Sequence, residues 1–340
     1  MTQTIIILFG GQSDERHVSV ASAQNIANTI GQRAAGSEQR FWFDAPNGAI
    51  HDVAPAELLA HARPFEIDFM PSRPAIWPNL EQALDTIPVD DPLFLLGYHG
   101  GAGEDGRVQA MLEKRGLPFT GSGSETSAIA FDKDRTKERL AGRVRVAESR
   151  VVSNAAEARD AIGDLLSRHE RLVLKPLRGG SSRGLMFIDT PIDFDPPQPY
   201  IVEQFIRGRE LTVGVIDRGD GPFSLPVIEI EIDPGASFDY EGKYLGKGTR
   251  EICPANISAE MAREAQATAL AAHLGLGCRG YSRSDMMAAD DGIYFLELNT
   301  LPGLTTSSLV PQQLREAGIA FGDFLDEQLA IACGVHCMTS

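Results

Sequence analysis

Residues 172–189 read LVLKPLRGGSSRGLMFID. An apolar run ends in Lys175 and Pro176, a loop of glycine, serine and arginine follows, and a second apolar run begins at Leu185. Short apolar runs bounded by glycine read as strands. The loop therefore joins strand to strand, not strand to helix. That excludes a P-loop, which needs GxxxxGKS or GxxxxGKT before a helix, and it excludes a dinucleotide fingerprint. What remains is a flap. Its glycines let backbone N–H groups approach an anion closely, its serine hydroxyls add donors, and Lys175 stands at the end of the entering strand. Taken alone, the stretch leaves open both a flap over a phosphate chain and a plain flexible hairpin, with the hairpin the simpler reading.

A second stretch narrows the choice. GYSRSDMMAADDGIYFLELNT, residues 280–300, carries a turn signal at Asp290–Gly292 between two apolar runs. With Asp291 as the turn centre, Asp285 faces Glu297 across the ladder and Arg283 faces Asn299. Glu297 and Asn299 are two apart and share a face. Two facing carboxylates without a cation repel. Carboxylate and amide oxygens suit Mg²⁺, which commonly bridges protein carboxylates and nucleotide phosphates. Flap, cation site and arginine together fit phosphoryl transfer by positioning and charge neutralisation.

The rest of the chain organises around these two stretches. TIIILFG (4–10) reads as a buried strand, followed by a helix through Val18–Ile30. DPLFLLG (91–97) is a second strand, with YHGGAGEDG and the helix RVQAMLEKRG after it; LPFTGSG adds a short third strand and loop. Residues 63–92 are proline-rich and resist assignment. The first 120 residues thus read as an open α/β domain with glycine-rich loops at strand ends, where ligands of such sheets bind. From Asp132 the pattern becomes α+β with an antiparallel sheet: helices in DKDRTKERLAG and AAEARDAIGDLLSRH, a strand in SRVVS, and two more in PYIVEQFIRGRELTVGVID. Beyond 222 come further strands, a glycine-rich loop near 240–250, a helix over 258–274, the hairpin and a C-terminal helix. Three domains are expected, 1–125, 126–215 and 216–335.

The net charge of −16 argues against a nucleic-acid backbone as partner, because such binding needs a basic surface. Cys253, Cys278, Cys333 and Cys337 form no CxxC pair and no zinc spacing, so free thiols are expected. No apolar run reaches the roughly 18 residues of a membrane span. With a strand starting close to Met1, no signal peptide and a cytoplasmic protein are expected.

At this point the motifs are recognisable together. LFGGQSDERHVS, HGGAGEDG, GLPFTGSG, KPLRGGSSRG, VEQFIRGRELTV, FDYEGKY and LELNTLPGLTTSSLVP occur in this order. The chain resembles the D-alanine–D-alanine ligases of the ATP-grasp superfamily from Ile5 to about Val310. The resemblance implies an ATP-grasp fold behind an N-terminal open α/β domain. It implies a homodimer that joins two D-alanines for peptidoglycan precursors, with ATP and two Mg²⁺ ions (or Mn²⁺). Carried over by motif position, Lys133, Lys175, Gly180, Ser181 and Ser182 hold phosphates, with Lys243 on a closing loop. Glu203, Gln204, Phe205 and Ile206 hold adenine, and Glu210 the ribose. Asp285, Glu297 and Asn299 bind metal. Arg283 stabilises the tetrahedral intermediate. Glu15 receives the first substrate's ammonium with His99 nearby. Gly303, Ser308 and Leu309 meet the second substrate. Glu15, Ser181 and Tyr244 form a latch that keeps water from the acyl phosphate. The chain departs from the family at Gln204, where lysine is common, and in RGGSSRG, where an acid is frequent before the glycine–serine pair. Two other readings stay open: an ATP-grasp ligase with another acceptor such as D-serine, and a non-catalytic ATP-binding regulator.

Overall fold

The computed structural model describes residues 3–33, 38–180, 184–232 and 249–334. Within them, β1 (Thr4–Gly10) is a run of seven buried residues, as its β-branched and aromatic sequence dictates. It lies between β2 (Glu38–Asp44) and β4 (Pro92–Leu96), parallel to both, and β3 (Ile50–Val53) closes the edge. The order β3-β2-β1-β4 makes the expected open α/β sheet, with α1 (Arg16–Arg33) packed on it. β2 and β3 lie where the sequence offered no strand. LPFTGSG forms an isolated bridge, Phe94 to Phe119, and no strand of its own. α2 (Pro55–Ala60) precedes the proline-rich stretch, which holds one short helix, α3 (Leu80–Asp85), beyond Trp77, which packs on Trp42 at 4.8 Å.

The helices α4 (Arg107–Glu113), α5 (Ser124–Ala130) and α6 (Lys133–Arg139) lead into the second half. Asp132 caps α6 by accepting from Arg135 N, and its other oxygen takes Arg178 Nε at 2.9 Å. This ties the start of α6 to the glycine loop. Two antiparallel sheets come next. One has the order β5 (Ser149–Val152), β8 (Tyr200–Gln204), β6 (Leu172–Pro176), β7 (Met186–Ile188), with the Asn154-capped α7 (Ala155–Leu166) on its face. The glycine loop therefore joins two antiparallel strands, as its sequence implied. The other sheet is six-stranded: β12 (Thr249–Ile252), β11 (Ile228–Ile232), β9 (Arg209–Arg218), β13 (Tyr281–Ala289), β14 (Gly292–Asn299), with β10 (Gly221–Ser224) beside β9. β9 runs whole in this sheet and crosses residue 215, where the sequence reading put a boundary. α8 (Ala259–Leu276) packs on one face of β9, with Ala265 and Ala269 against Leu211, Val213 and Val215, and α9 (Leu309–Glu316) meets β9 at Gly214 through Val310 and Gln313. α10 (Phe321–Ala332) lies against α1 and β4, so the C-terminal segment holds two helices, not one. Among the described residues no helix is long and apolar enough to cross a membrane, and Cys253, Cys278 and Cys333 are free thiols. Cys337 lies outside the described residues.

The hairpin has a register the sequence reading reached by a partly wrong route. Ala289 pairs with Gly292, so the turn is Asp290–Asp291 and its centre lies half a residue before Asp291. That register alone would set Glu297 opposite Ser284. A bulge intervenes: Met286 pairs with Phe295 but Asp285 pairs with Glu297, leaving Leu296 as the extra residue. The bulge restores the expected pairs, Asp285 with Glu297 and Arg283 with Asn299.

At the other end, Gly10 ends β1 with φ +97°, and a Cβ there would lie 2.4 Å from Asp44 O. Its N–H donates to Ser19 Oγ at 2.7 Å, and that hydroxyl donates to Gly97 O at 2.7 Å. These bonds join β1, α1 and β4 beneath the loop that carries Glu15. Gly10→Ala is expected to destabilise the chain by about 1–3 kcal/mol through backbone strain. Urea unfolding would show this as a lower midpoint with an unchanged slope.

Candidate active site

The two antiparallel sheets enclose a cleft of about 1220 Å³. Its floor is charged. Lys175, at the end of β6, sets Nζ 2.6 Å from Glu203 Oε2 on β8. Lys137, on α6, gives Nζ to Glu203 Oε1. Burial disfavours the ionised Glu203, but the two ammonium groups outweigh it and hold its carboxyl below the usual range. Burial likewise opposes the charge on Lys175, which Glu203 and Glu297 more than offset, so its pKa lies above normal. One turn before Lys137, Lys133 donates to Gly179 O at 2.7 Å and stands 3.5 Å from Glu297 Oε2. Burial dominates there and lowers the ammonium's pKa. Gln204, Phe205, Ile206 and Glu210 line the same cleft.

A smaller pocket opens from this one. Both are lined by Glu15, Glu104, Phe131, Lys133, Gly179, Gly180 and Glu297. A Cβ on Gly180 would lie 3.9 Å from Glu15 Oε2, so the glycine loop reaches the N-terminal domain's acid. His99 is buried between two carboxylates: Nε2 is 3.7 Å from Glu15 Oε1 and Nδ1 is 2.9 Å from Glu104 Oε1. Burial alone would lower its pKa, but Glu104, then Glu15, raise it to about 9. Glu104 also accepts from Gly100 N at 2.8 Å, and Arg283 adds to the positive field around it. Against burial, His99 and these groups lower its carboxyl's pKa.

The far wall comes from the hairpin and from residues 299–309, which lead out of it into α9. Arg283 makes a two-pronged contact with Asp285, at 2.9 and 2.8 Å, and Thr212 Oγ1 donates to Asp285 Oδ1 at 2.6 Å. Asn299 Oδ1 accepts from Leu301 N at 2.9 Å. Ser308 is the first residue of α9's entry, yet its hydroxyl does not cap the helix; it meets Thr305 Oγ1 at 2.7 Å. Gly303 packs so closely on it that a Cβ would come within 2.8 Å of Ser308 Oγ. Gly303, Ser308 and Leu309 line the small pocket opposite Glu15 and His99.

The structure thus gathers Glu15, His99, Lys133, Lys175, Gly180, Glu203–Ile206, Glu210, Arg283, Asp285, Glu297, Asn299, Gly303, Ser308 and Leu309 around two joined pockets. Ser181, Ser182, Lys243 and Tyr244 lie outside the described residues. Sequence reasoning missed Glu104 and Lys137. Glu104 sits inside the HGGAGEDG motif, five residues after His99. Lys137 is visible as the i+4 partner of Lys133 on one helix face. The oxygen donors of Asp285, Glu297 and Asn299 suit a hard cation. Among the described residues no three His, Cys, Asp or Glu side chains converge as a complete metal cage. Elsewhere, His273 meets Ser282 Oγ at 2.8 Å and Asp217 Oδ1 at 3.2 Å, in the order of a hydrolase triad. Ser282 has no exposed surface, so these three form a core network, not a second site.

A nucleotide-sized cleft between two antiparallel sheets is the architecture of an ATP-grasp enzyme, and comparison with known proteins narrows the class. Family models for the D-ala D-ala ligase N-terminus and C-terminus match residues 4–122 and 171–330. The D-alanine–D-alanine ligase of Ralstonia pickettii is 35% identical over 338 residues, covering 96% of this chain and 90% of the relative. That of Rhizorhabdus wittichii is 37% identical over 347 residues, covering 96% of each. Among solved structures, the D-Ala:D-Ser ligase of Enterococcus faecalis superposes with TM-score 0.81 at 28% identity, over 98% of this chain and 100% of its own. The D-alanine–D-alanine ligase of Coxiella burnetii gives 0.78 at 27%, over 98% and 96%. The chain belongs to the D-alanine–D-alanine ligase family.

The charge state of His99 makes a testable prediction. Its folded pKa, about 9, lies above the ordinary 6.5. Protonation therefore stabilises the fold fully below pH 6.5, and the contribution is lost as pH rises through 9. The shift corresponds to an upper limit on the order of 3 kcal/mol. Urea unfolding of wild type should weaken from pH 6.5 to 9.5 relative to His99→Gln, whose curve lacks this dependence.

Proposed function

We infer that the chain joins two D-alanines into D-alanyl-D-alanine at the expense of ATP, through an acyl phosphate. What carries this reading is the junction of the two pockets. Glu15, Lys133, Gly180 and Glu297 line both, so a nucleotide's terminal phosphate and an amino acid's carboxylate meet at one place. An oxygen of the first D-alanine's carboxylate attacks the γ-phosphorus and ADP departs. The second D-alanine's amine, having lost a proton, attacks the acyl carbon, and phosphate leaves. Both steps gather negative charge at a place ringed by Lys133, Lys175 and Arg283, which neutralise it.

The residues divide by position. Lys133, Lys175 and Gly180 hold the phosphates. The edge Glu203–Ile206 holds adenine along its backbone, and Glu210 the ribose. Asp285, Glu297 and Asn299 hold Mg²⁺, as two ions, and the metal supplies charge neutralisation at the phosphates. Glu15 takes the first substrate's ammonium. His99, as an imidazolium, presents a donor beside it. Arg283, aligned by Asp285, faces the developing oxyanion. Gly303, Ser308 and Leu309 form the acceptor end. Three units carry these groups: an N-terminal α/β domain and two ATP-grasp subdomains. A cytoplasmic homodimer serving peptidoglycan precursor synthesis is the setting this reading implies. The likeness to a D-Ala:D-Ser ligase makes D-serine the acceptor to compare.

The test is phosphate release from ATP and Mg²⁺ with D-alanine, L-alanine, D-serine and D-lactate, singly and in pairs, with products weighed by mass spectrometry. D-Alanine alone is expected to give the dipeptide. Turnover only with another acceptor moves the assignment to that ligase. Glu297→Gln removes a charge but no volume; it is expected to lose ATP turnover by at least about 100-fold while its circular dichroism stays unchanged. Near-normal turnover in that variant would remove Glu297 from the metal site.

A further inference from the structure

Away from the charged floor of the cleft, a part-buried acid lies beneath the small pocket with no place yet in the site. Asp44 ends β2, and Tyr98 Oη donates to its Oδ2 at 3.0 Å. Burial pushes the Asp44 carboxyl up to about 6, against the pull of that hydroxyl. A carboxyl kept from water with one hydroxyl as partner costs free energy. Tyr98, 4% exposed, is the residue before His99. Its ring lies between the two loops that supply the acids on either side of His99. A Cβ on Gly11, in the loop that leads to Glu15, would lie 3.3 Å from the ring. A Cβ on Gly103, next to Glu104, would lie 2.3 Å from Tyr98 Cβ. Asp44 also holds the first loop directly: its backbone carbonyl accepts from Gly11 N at 2.7 Å. The two loops meet each other as well, since a Cβ on Gly100 would come within 2.8 Å of Glu15 Oε2.

We propose that Tyr98 and Asp44 are positioning residues for the first substrate: their hydrogen bond sets how Glu15 and Glu104 stand around His99. The proposal rests on the reading above that this end of the small pocket receives the first D-alanine. Tyr98 packs on backbone at Gly11 and Gly103, so the tilt of its ring sets the spacing of the two loops. The hydroxyl, bonded to a residue of the sheet, sets the tilt. Tyr98 and His99 are also neighbours in the chain, so a swing of the phenol carries the His99 backbone with it. A displacement of about 1 Å in such a supporting shell is enough to spoil a polar site. The bond needs an acceptor at position 44 rather than a charge, and an amide oxygen accepts as a carboxylate does.

Tyr98→Phe keeps the ring and loses the bond, and Asp44→Ala removes the acceptor. Each is expected to raise KM for D-alanine about tenfold, with KM for ATP and kcat within about threefold of wild type. Asp44→Asn should stay within about threefold in KM for D-alanine, and the double variant Tyr98→Phe with Asp44→Ala should be no worse than the weaker single. NMR titration of the histidines reads the positioning without substrate, with the His99 signal assigned by its loss in His99→Gln. His99 is faced by Glu15, Glu104 and the Leu301 carbonyl, with Arg283 acting on Glu104. Its midpoint, about 9 in wild type, should fall toward the ordinary 6.5 in Tyr98→Phe and hold in Asp44→Asn. The proposal is overturned if Tyr98→Phe melts earlier while KM for D-alanine and the His99 midpoint stay put, since the bond then only supports the fold. It is overturned too if Asp44→Asn behaves like Asp44→Ala, or if KM for ATP rises as much as that for D-alanine. A lowered His99 midpoint with an unmoved KM for D-alanine would instead overturn the assignment of D-alanine to this end of the pocket, on which the proposal stands.

Discussion

Among the described residues, the cations that line the cleft and its smaller pocket are matched to acids. Lys175 and Lys137 share Glu203, Lys133 stands beside Glu297, Arg283 grips Asp285, and His99 lies between Glu15 and Glu104. Removing one member of such a buried pair leaves an uncompensated charge, which is far costlier than never having built the pair. The arrangement therefore holds every charged group in place in the absence of a ligand. It also sets how a ligand enters. On the proposed reading, a polyanion would compete with Glu297 for Lys133, and a divalent cation would compete with Arg283 and Lys133 for the hairpin's carboxylates. Each arriving charge displaces one of like sign from its partner, so the number of uncompensated charges need not rise at any stage.

The hairpin shows what a sequence reveals and what it hides. Period-two alternation and the Asp-Asp-Gly turn were enough to put Asp285, Glu297, Asn299 and Arg283 on one face. The register at the turn was half a residue off, and the Leu296 bulge cancelled the error. A bulge has no sequence signature as plain as a turn's, because any residue can be the extra one. Its work is visible only in the pairs. Leu296 and Glu297 both reach the cleft with Asp285 and Met287, so the strand turns one more side chain inward than strict alternation allows.

Elsewhere legibility followed the strength of the local signal. TIIILFG and DPLFLLG are buried on both faces and read as strands at once. The strand on the other side of β1, EQRFWFD, starts in charged residues and follows a polar stretch, so its apolar second half, with Trp42 fully buried, did not stand out. The proline-rich stretch offered no periodicity because it holds a single short helix, and the chain before that helix is held by tertiary contacts such as Trp77 on Trp42 rather than by propensity. Site residues within the recognised motifs were all found at the cleft or lie outside the described residues. The two that were missed, Glu104 and Lys137, are paired with other side chains, His99 and Glu203. Lys137 shows why such residues stay hidden: its signal lies in a partner distant in sequence, Glu203, 66 positions away.

The short helix α6 draws these points together. It is only seven residues long and would be marginal alone. Its start is fixed from outside by Asp132, which caps it and holds Arg178 of the glycine loop. From that fixed start, one face delivers two lysines a turn apart: Lys133 to the loop carbonyl of Gly179 and to Glu297, and Lys137 to Glu203. The helix thus touches the flap, the hairpin and the floor of the cleft at once. A rigid unit with contacts to three walls cannot shift toward one without straining the others. Arg178–Asp132 and Gly179–Lys133 tie the entering end of the glycine loop to this helix, and the helix ties it in turn to the hairpin and to Glu203.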